Sequence, residues 1–100
     1  MPAREFFETL EARADPDKIR GIDNTYLFEV AGEGEWVVAI MNGEVHVSEG
    51  AAKADVTISV SSEVFDKIAD GTQSPTLAYM TGKIKIRGDT AAALKLQTIF

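Results

Sequence analysis

The dipeptide Asn42-Gly43 limits the fold more than any other feature of this sequence. Both residues tolerate the positive φ angles of a tight two-residue turn, and strand-like runs lie on either side of them. The run at residues 36–41 is apolar on both faces, which predicts a strand inside a sheet rather than at its edge. The run at residues 44–48 alternates between apolar and polar residues. The sequence therefore predicts a β-hairpin near the middle of the chain.

The remaining segments predict a sheet followed by helices. An alternating run at residues 25–30 completes a three-stranded antiparallel meander with the hairpin. Because the later helices follow a mostly antiparallel sheet, the class is α+β, and the length of 100 residues predicts a single domain over residues 1–100. Further strands are predicted at 55–60 and 83–87, and helices at 4–14, from Pro16, after Ser61, after Ser74, and at 90–100 after Asp89.

Composition and charge exclude several classes of protein. The net charge is −6 and the isoelectric point is about 4.6, so a phosphate backbone would be repelled and we expect no nucleic-acid partner. The sequence has no cysteine, which excludes disulfides and fits a cytoplasmic location. No apolar run approaches the roughly 20 residues that span a bilayer, so no stable membrane insertion is expected.

Catalytic and metal-binding patterns are weak. His46 is the only histidine, and strand alternation turns it away from Val45 and Val47. No Gly-x-Ser-x-Gly nucleophile elbow is present, and one histidine with scattered carboxylates does not make a zinc site. We therefore expect no catalytic residue, no metal and no cofactor.

Three segments together resemble a known family. They are residues 54–63 (Ala-Asp-Val-Thr-Ile-Ser-Val-Ser-Ser-Glu), 79–89 (Tyr-Met-Thr-Gly-Lys-Ile-Lys-Ile-Arg-Gly-Asp) and 93–97 (Ala-Leu-Lys-Leu-Gln). This combination resembles the sterol carrier protein type-2 family of lipid-transfer domains, and the element order is similar over nearly the whole chain. Residues 90–93 differ from the animal members, and the short N-terminal helical region is similar to that of compact stand-alone prokaryotic members.

The resemblance implies both a fold and an activity. The fold is a five-stranded, mostly antiparallel mixed sheet with helices packed on one face and a hydrophobic tunnel between them. The activity is non-catalytic binding or transfer of an apolar ligand, such as a fatty acid, an acyl-CoA, a phospholipid or a sterol-like molecule.

The predicted final helix is the best candidate for a pocket wall. Lys95 is its only charge, and its apolar residues spread over more of the surface than one contact with the sheet requires. The excess could face a ligand, a second subunit or the core, and the resemblance favours the ligand. The predicted pocket-lining residues are Phe65, Ile68, Leu77, Tyr79, Met80, Leu94, Leu96, Gln97, Ile99 and Phe100.

The charged strand has two possible interpretations, and so does the function of the domain. Lys83, Lys85 and Arg87 share one face of the fifth predicted strand. They are either a solvated face that discourages edge-to-edge pairing, or contacts for a ligand headgroup or a membrane. The alternative to a lipid-binding module is an interaction domain with a filled core, which forms a homodimer or docks on a partner enzyme.

Overall fold

The computed structural model describes residues 3–96, apart from the side chain of Arg13. Five helices and five strands make up this part of the chain. In chain order they are α1 (Ala3–Arg13), α2 (Pro16–Ile19), β1 (Asn24–Ala31), β2 (Gly34–Met41), β3 (Glu44–Glu49), β4 (Val56–Ser61), α3 (Ser62–Ala69), α4 (Pro75–Met80), β5 (Ile84–Gly88) and α5 (Thr90–Lys95).

The strands form one mixed sheet in the order β3-β2-β1-β4-β5. The meander β1-β2-β3 is antiparallel, β4 pairs in parallel with β1, and β5 pairs antiparallel with β4. The predicted α+β class and five-stranded mixed sheet are therefore confirmed. Strand β2 lies inside the sheet, as its two apolar faces predicted, and β5 lies at an edge.

Local sequence signals account for the ends of the elements. Asn42 and Gly43 have φ angles of 54° and 76°, as a tight hairpin turn requires. The side chains of Ser61 and Asp89 accept hydrogen bonds from the backbone N–H groups of Val64 and Ala92, which caps α3 and α5. Helix α5 ends at Lys95, and the rest of the final helix predicted from the sequence lies at residues 97–100, outside the described part.

Gly88 marks a place where two strands approach closely. Its φ angle is +107°, and a Cβ atom there would clash with the backbone carbonyl oxygen of Asp55. Glycine is therefore required at the point where β5 ends beside the start of β4. The same contact places Asp89 to begin α5 immediately over the sheet.

The helices cover one face of the sheet, and the core lies between them. Strand alternation places one set of apolar residues from each of the five strands on this face. They are Tyr26, Phe28 and Val30 of β1, Trp36, Val38 and Ile40 of β2, Val45 and Val47 of β3, Val56, Ile58 and Val60 of β4, and Ile84 and Ile86 of β5.

The core divides into two halves. In what we call the aromatic half, α1 packs toward β3 and brings Phe6 and Phe7 against Phe28, Trp36 and Phe65. In what we call the cavity half, α4 and α5 pack over β4 and β5.

Candidate functional site

The cavity half contains a small apolar cavity between the sheet and three helices. Its volume is about 60 Å³. The sheet contributes Phe28, Ile58, Val60, Ile84 and Ile86, and the helical side contributes Phe65 and Ile68 of α3, Pro75, Thr76 and Tyr79 of α4, and Ala93, Leu94 and Leu96 of α5 and its C-terminal cap.

The floor of the cavity follows from the register of three strands. Ile58 of β4 pairs with Phe28 on one side and with Ile86 on the other, and Val60 pairs with Ile84. Paired residues point to the same face of a sheet, so these side chains form a continuous apolar surface. Its width comes from the parallel β1–β4 pair, which joins two segments of the chain that are far apart in sequence.

Small residues in the roof leave the space unfilled. Ala78 of α4 and Ala92 and Ala93 of α5 are the buried residues of these two helices. An alanine allows the helix backbone to come close to the sheet, but its side chain fills little volume. Of these three alanines, Ala93 lines the cavity, opposite the isoleucines of the sheet.

Tyr26 fixes α5 to the sheet. Its side chain is fully buried, and its hydroxyl donates a hydrogen bond of 2.7 Å to the backbone carbonyl oxygen of Ala92. Burial of the phenol, followed by the carboxylates of Asp55 and Asp89, raises the pKa of Tyr26 to about 12. The hydroxyl therefore keeps its proton at neutral pH and remains a donor to the helix.

The cavity wall has little polar character. Thr76 and Tyr79, both on α4, carry the only side-chain hydroxyls among the described lining residues, and none of those residues is charged. Tyr79 is partly exposed, so its ring borders the opening of the cavity to solvent. Such a wall suits an apolar molecule with a polar end near α4.

Five of the ten pocket residues predicted from the sequence lie around this cavity: Phe65, Ile68, Tyr79, Leu94 and Leu96. Gln97, Ile99 and Phe100 lie outside the described residues. The described residues enclose a cavity of only about 60 Å³ and do not form the tunnel that the resemblance implied.

The structure places Leu77 and Met80 outside the cavity. Their exposed fractions are 56% and 73%. Helix α4 buries Ala78 against the sheet and turns Pro75 and Tyr79 to the cavity, and helical geometry then directs Leu77 and Met80 outward. Their apolar character could be seen in the sequence, but the rotation of this short helix could not.

Lys83, Lys85 and Arg87 do not line the cavity. Alternation along β5 puts Ile84 and Ile86 on the helix-covered face, and Lys85 and Arg87 on the opposite face. Arg87 forms an ion pair of 3.0 Å with Glu29 there. The predicted headgroup contacts therefore do not lie in the cavity.

Sequence reasoning missed eight of the lining residues. The alternation of β5 was a usable signal for Ile84 and Ile86, because it assigned the three cations to one face and the isoleucines to the other. The others needed the tertiary arrangement: Phe28, Ile58, Val60, Pro75, Thr76 and Ala93.

His46 is far from this site. It lies on edge strand β3, with its ring nitrogen 3.2 Å from a carboxylate oxygen of Glu44. Within residues 3–96, no group of three or more histidine, aspartate or glutamate side chains is arranged to hold a metal ion. In the same part of the chain, no helix has the length and apolar character needed to cross a bilayer.

Comparison with known proteins identifies the family. The profile of the SCP-2 sterol transfer family matches residues 6–100. The chain belongs to this family. The resemblance seen in the sequence motifs is thereby confirmed, and the family fold accounts for the sheet order and for the helices over one face.

Curated relatives contain the matching segment within longer proteins. Hydroxysteroid dehydrogenase-like protein 2 of Xenopus tropicalis is 37% identical over 102 residues, which cover 98% of this chain and 24% of that protein. The chain thus spans about a quarter of the length of the curated relatives it matches.

Among solved structures, the matching region is nearly a whole chain in one case and a small part of a longer chain in another. Palmitated SCP2L2 of Aedes aegypti is 27% identical with a TM-score of 0.81, covering 99% of this chain and 94% of that one. A stereoselective inverting sec-alkylsulfatase of Pseudomonas sp. is 26% identical with a TM-score of 0.80, and the similarity covers 95% of this chain and 16% of the sulfatase.

Proposed function

We propose that this domain binds and carries a lipid with an apolar chain in the cavity half, without catalysing a reaction on it. The observation that carries the proposal is the cavity itself, which has an uncharged and almost wholly apolar wall. Family membership and the similarity to a palmitated protein support a lipid as the occupant. The candidate ligands are a fatty acid, an acyl-CoA, a phospholipid or a sterol-like molecule.

The small volume means that the ligand opens the site. An apolar cavity of about 150 Å³ accepts benzene, whereas the volume here is about 60 Å³. A long acyl chain therefore needs the walls to move apart. The short helices α4 and α5, which form the outer wall, are the elements we expect to move.

Energetics favour a closed cavity in the absence of ligand. At about 24 cal/mol per Å³, an empty space of about 300 Å³ would cost about 7 kcal/mol, against a total stability of about 5–15 kcal/mol for a typical domain. By the same measure, the observed cavity of about 60 Å³ costs only about 1.4 kcal/mol. A bound acyl chain offsets the opening by up to about 0.8 kcal/mol for each buried methylene.

The polar end of the ligand belongs near α4. The hydroxyls of Thr76 and Tyr79 can each donate a hydrogen bond to a carboxylate, ester or phosphate oxygen. Since Tyr79 borders the opening, a chain that enters there leaves its headgroup close to solvent. The absence of a charged group among the described lining residues fits binding rather than acid–base chemistry.

The proposal is tested by palmitate binding to wild type and to two variants in which an alanine of α5 is replaced by leucine. Ala93→Leu fills the cavity, so we expect it to abolish the rise in melting temperature that palmitate gives with wild type. Ala91→Leu is the matched control, because Ala91 is exposed on the same helix. Native mass spectrometry checks the stoichiometry.

Two results would count against this function. One is the absence of a thermal shift and of a bound-lipid mass for wild type with palmitate, palmitoyl-CoA, a phospholipid and a sterol. The other is equal palmitate binding by wild type and Ala93→Leu. A ligand-free dimer in the same spectra would instead support the interaction domain.

A further inference from the structure

The two edges of the sheet, at β3 and at β5, differ in how their backbone groups are used. On β3, the N–H of Gly50 bonds to the carbonyl oxygen of Glu35, so the alternation of an antiparallel ladder turns the backbone groups of Val47 away from β2. The N–H of Val47 donates a hydrogen bond of 2.6 Å to the carboxylate of Glu11 on α1. Helix α1 therefore occupies the β3 edge.

The edge at β5 has open backbone groups. The N–H of Asp89 bonds to the carbonyl oxygen of Asp55, so the register of the two strands directs the backbone groups of Lys85 toward β4. The N–H and C=O groups of Ile84 and Ile86 then point away from the sheet, and within residues 3–96 they have no hydrogen-bond partner. Open groups of this kind can pair with a further strand.

The side chains of β5 differ between its two faces. Ile84 and Ile86 are half-buried on the helix-covered face and line the cavity, whereas Lys85 and Arg87 lie on the opposite face. A strand added at this edge would meet apolar side chains on one face and basic side chains on the other. The complementary sequence alternates apolar and acidic residues.

Acidic residues of this chain do not take the place of such a strand. A groove on the same face is lined by Lys83 and Lys85 and by Glu29, Glu33 and Glu35. Glu29 pairs with Arg87 at 3.0 Å, and Ser59 of β4 lies between Glu29 and Lys85 in the register. Glu29 is thus two strand spacings of about 4.8 Å from Lys85, whereas a residue of an added strand would be one spacing away.

A second copy of the chain does not suit this edge. If two β5 strands paired antiparallel about a two-fold axis at Ile86, each Lys85 would lie opposite the other copy's Arg87. With the axis at Lys85, the two Lys85 side chains would face each other. Like charges directly opposite each other destabilise a strand pair, so the charges of β5 favour a partner of different sequence.

We propose that the β5 edge binds an extended segment of a partner protein as an additional strand. Backbone groups of the segment pair with those of Ile84 and Ile86, its apolar residues contact these isoleucines, and an acidic residue lies opposite Lys85. Because both isoleucines line the cavity, the partner is held beside the ligand site. The inference goes beyond the proposed lipid-carrying function and does not depend on it.

Titration with two peptides, followed by NMR, tests the proposal. The probe is a blocked heptapeptide of alternating valine and glutamate, and the comparison peptide has lysine in place of glutamate. We expect wild type to bind the glutamate peptide about fivefold or more tightly than the lysine peptide. Hydrogen exchange at the amides of Ile84 and Ile86 should slow in the complex, while exchange in β3 stays unchanged.

Three variants separate the charge, the edge and the cavity. Lys85→Glu should reverse the preference, so that the lysine peptide binds more tightly. Lys67→Glu is the matched control, because it changes the net charge equally at an exposed position on α3. Ala93→Leu, which fills the cavity, should bind the glutamate peptide as wild type does.

Each part of the inference can fail separately. No binding of the glutamate peptide to wild type, or unchanged exchange at Ile84 and Ile86 in its complex, would overturn the β5 edge as the site. Equal affinity of wild type for both peptides, or an unchanged preference in Lys85→Glu, would overturn the acidic partner. Loss of peptide binding in Ala93→Leu would place the peptide in the cavity instead. Slower exchange of the same two amides as the concentration of free protein rises would assign the edge to a second copy.

Discussion

The two halves of the core are packed in different ways. In the aromatic half, the ring of Phe7 stacks on Trp36 with centroids 4.9 Å apart, and it lies 5.1 Å from Phe28 and 5.4 Å from Phe65. In the cavity half, Ala92 and Ala93 are the buried residues of α5, and about 60 Å³ beside Ala93 is unfilled. One half has large rings in contact, and the other has small residues beside a space.

The hydrogen bonds that hold the helices to the sheet also differ between the two halves. Helix α1 is joined to the edge strand β3 by a two-bond contact between Arg4 and Glu49 and by a hydrogen bond of 2.6 Å from the backbone N–H of Val47 to Glu11. Helix α5 is held by the hydrogen bond from Tyr26 to Ala92. We infer that the aromatic half sets the fold, and that the cavity half retains the freedom to open for a ligand.

The largest effect is expected in the aromatic half. Phe7→Ala removes a buried ring that contacts four other aromatic side chains, and we expect it to lower the free energy of unfolding by about 4 kcal/mol. Urea denaturation followed by Trp36 fluorescence measures the loss, since Trp36 stacks on this ring. Leu77→Ala, at an exposed position, is the control and should change stability by less than about 0.5 kcal/mol.

A loss below about 1 kcal/mol for Phe7→Ala would contradict the assignment of the fold to the aromatic half. It would mean that the surrounding rings collapse into the space without strain. The comparison between the halves would then have no energetic basis.

Local signals in the sequence predicted the elements well. The Asn42-Gly43 turn, the Ser61 and Asp89 caps and the alternation of β5 depend on neighbours in the chain, so they can be read without tertiary structure. The parallel pairing of β1 with β4 could not be derived from those signals, because it joins residues about thirty positions apart. The fold expected from the family resemblance supplied what local patterns left open.

A matched pair of valines compares the halves directly. Val38 is fully buried between Tyr26 and Val47 in the sheet, whereas Val60 lines the cavity. We expect Val38→Ala to cost about 2–3 kcal/mol and Val60→Ala about 1 kcal/mol, because the side chain of Val60 already lacks contacts on one side. Urea denaturation of the two variants under identical conditions measures the difference. Equal losses would show that the cavity half is packed as tightly as the aromatic half.

The candidate site was less predictable than the fold. Apolar character marked Leu77 and Met80 as well as Phe65 and Leu96, but the rotation of α4 about its axis decides which of them face the cavity. That rotation buries Ala78 and is a packing effect that no periodicity in six residues can reveal. The anchor Tyr26 was missed because the residue that it contacts, Ala92, is 66 positions away.

The smallest expected effect concerns that anchor, and it depends on pH. Tyr26→Phe leaves the carbonyl oxygen of Ala92 without its donor, and we expect a loss of about 1 kcal/mol at neutral pH. Burial raises the pKa of Tyr26 from 10.0 to about 12, so the folded state favours the protonated phenol. The stabilisation from this group is therefore complete below pH 10 and is lost as the pH rises toward about 12.

Stability curves of wild type and Tyr26→Phe should converge over this range, while other titrating groups affect both proteins equally. Hydrogen exchange at neutral pH should show faster exchange in α5 of the variant and no change in α1. Parallel curves above pH 10 would mean that the folded state does not favour the protonated phenol, and unchanged exchange in α5 would mean that the phenol does not hold this helix.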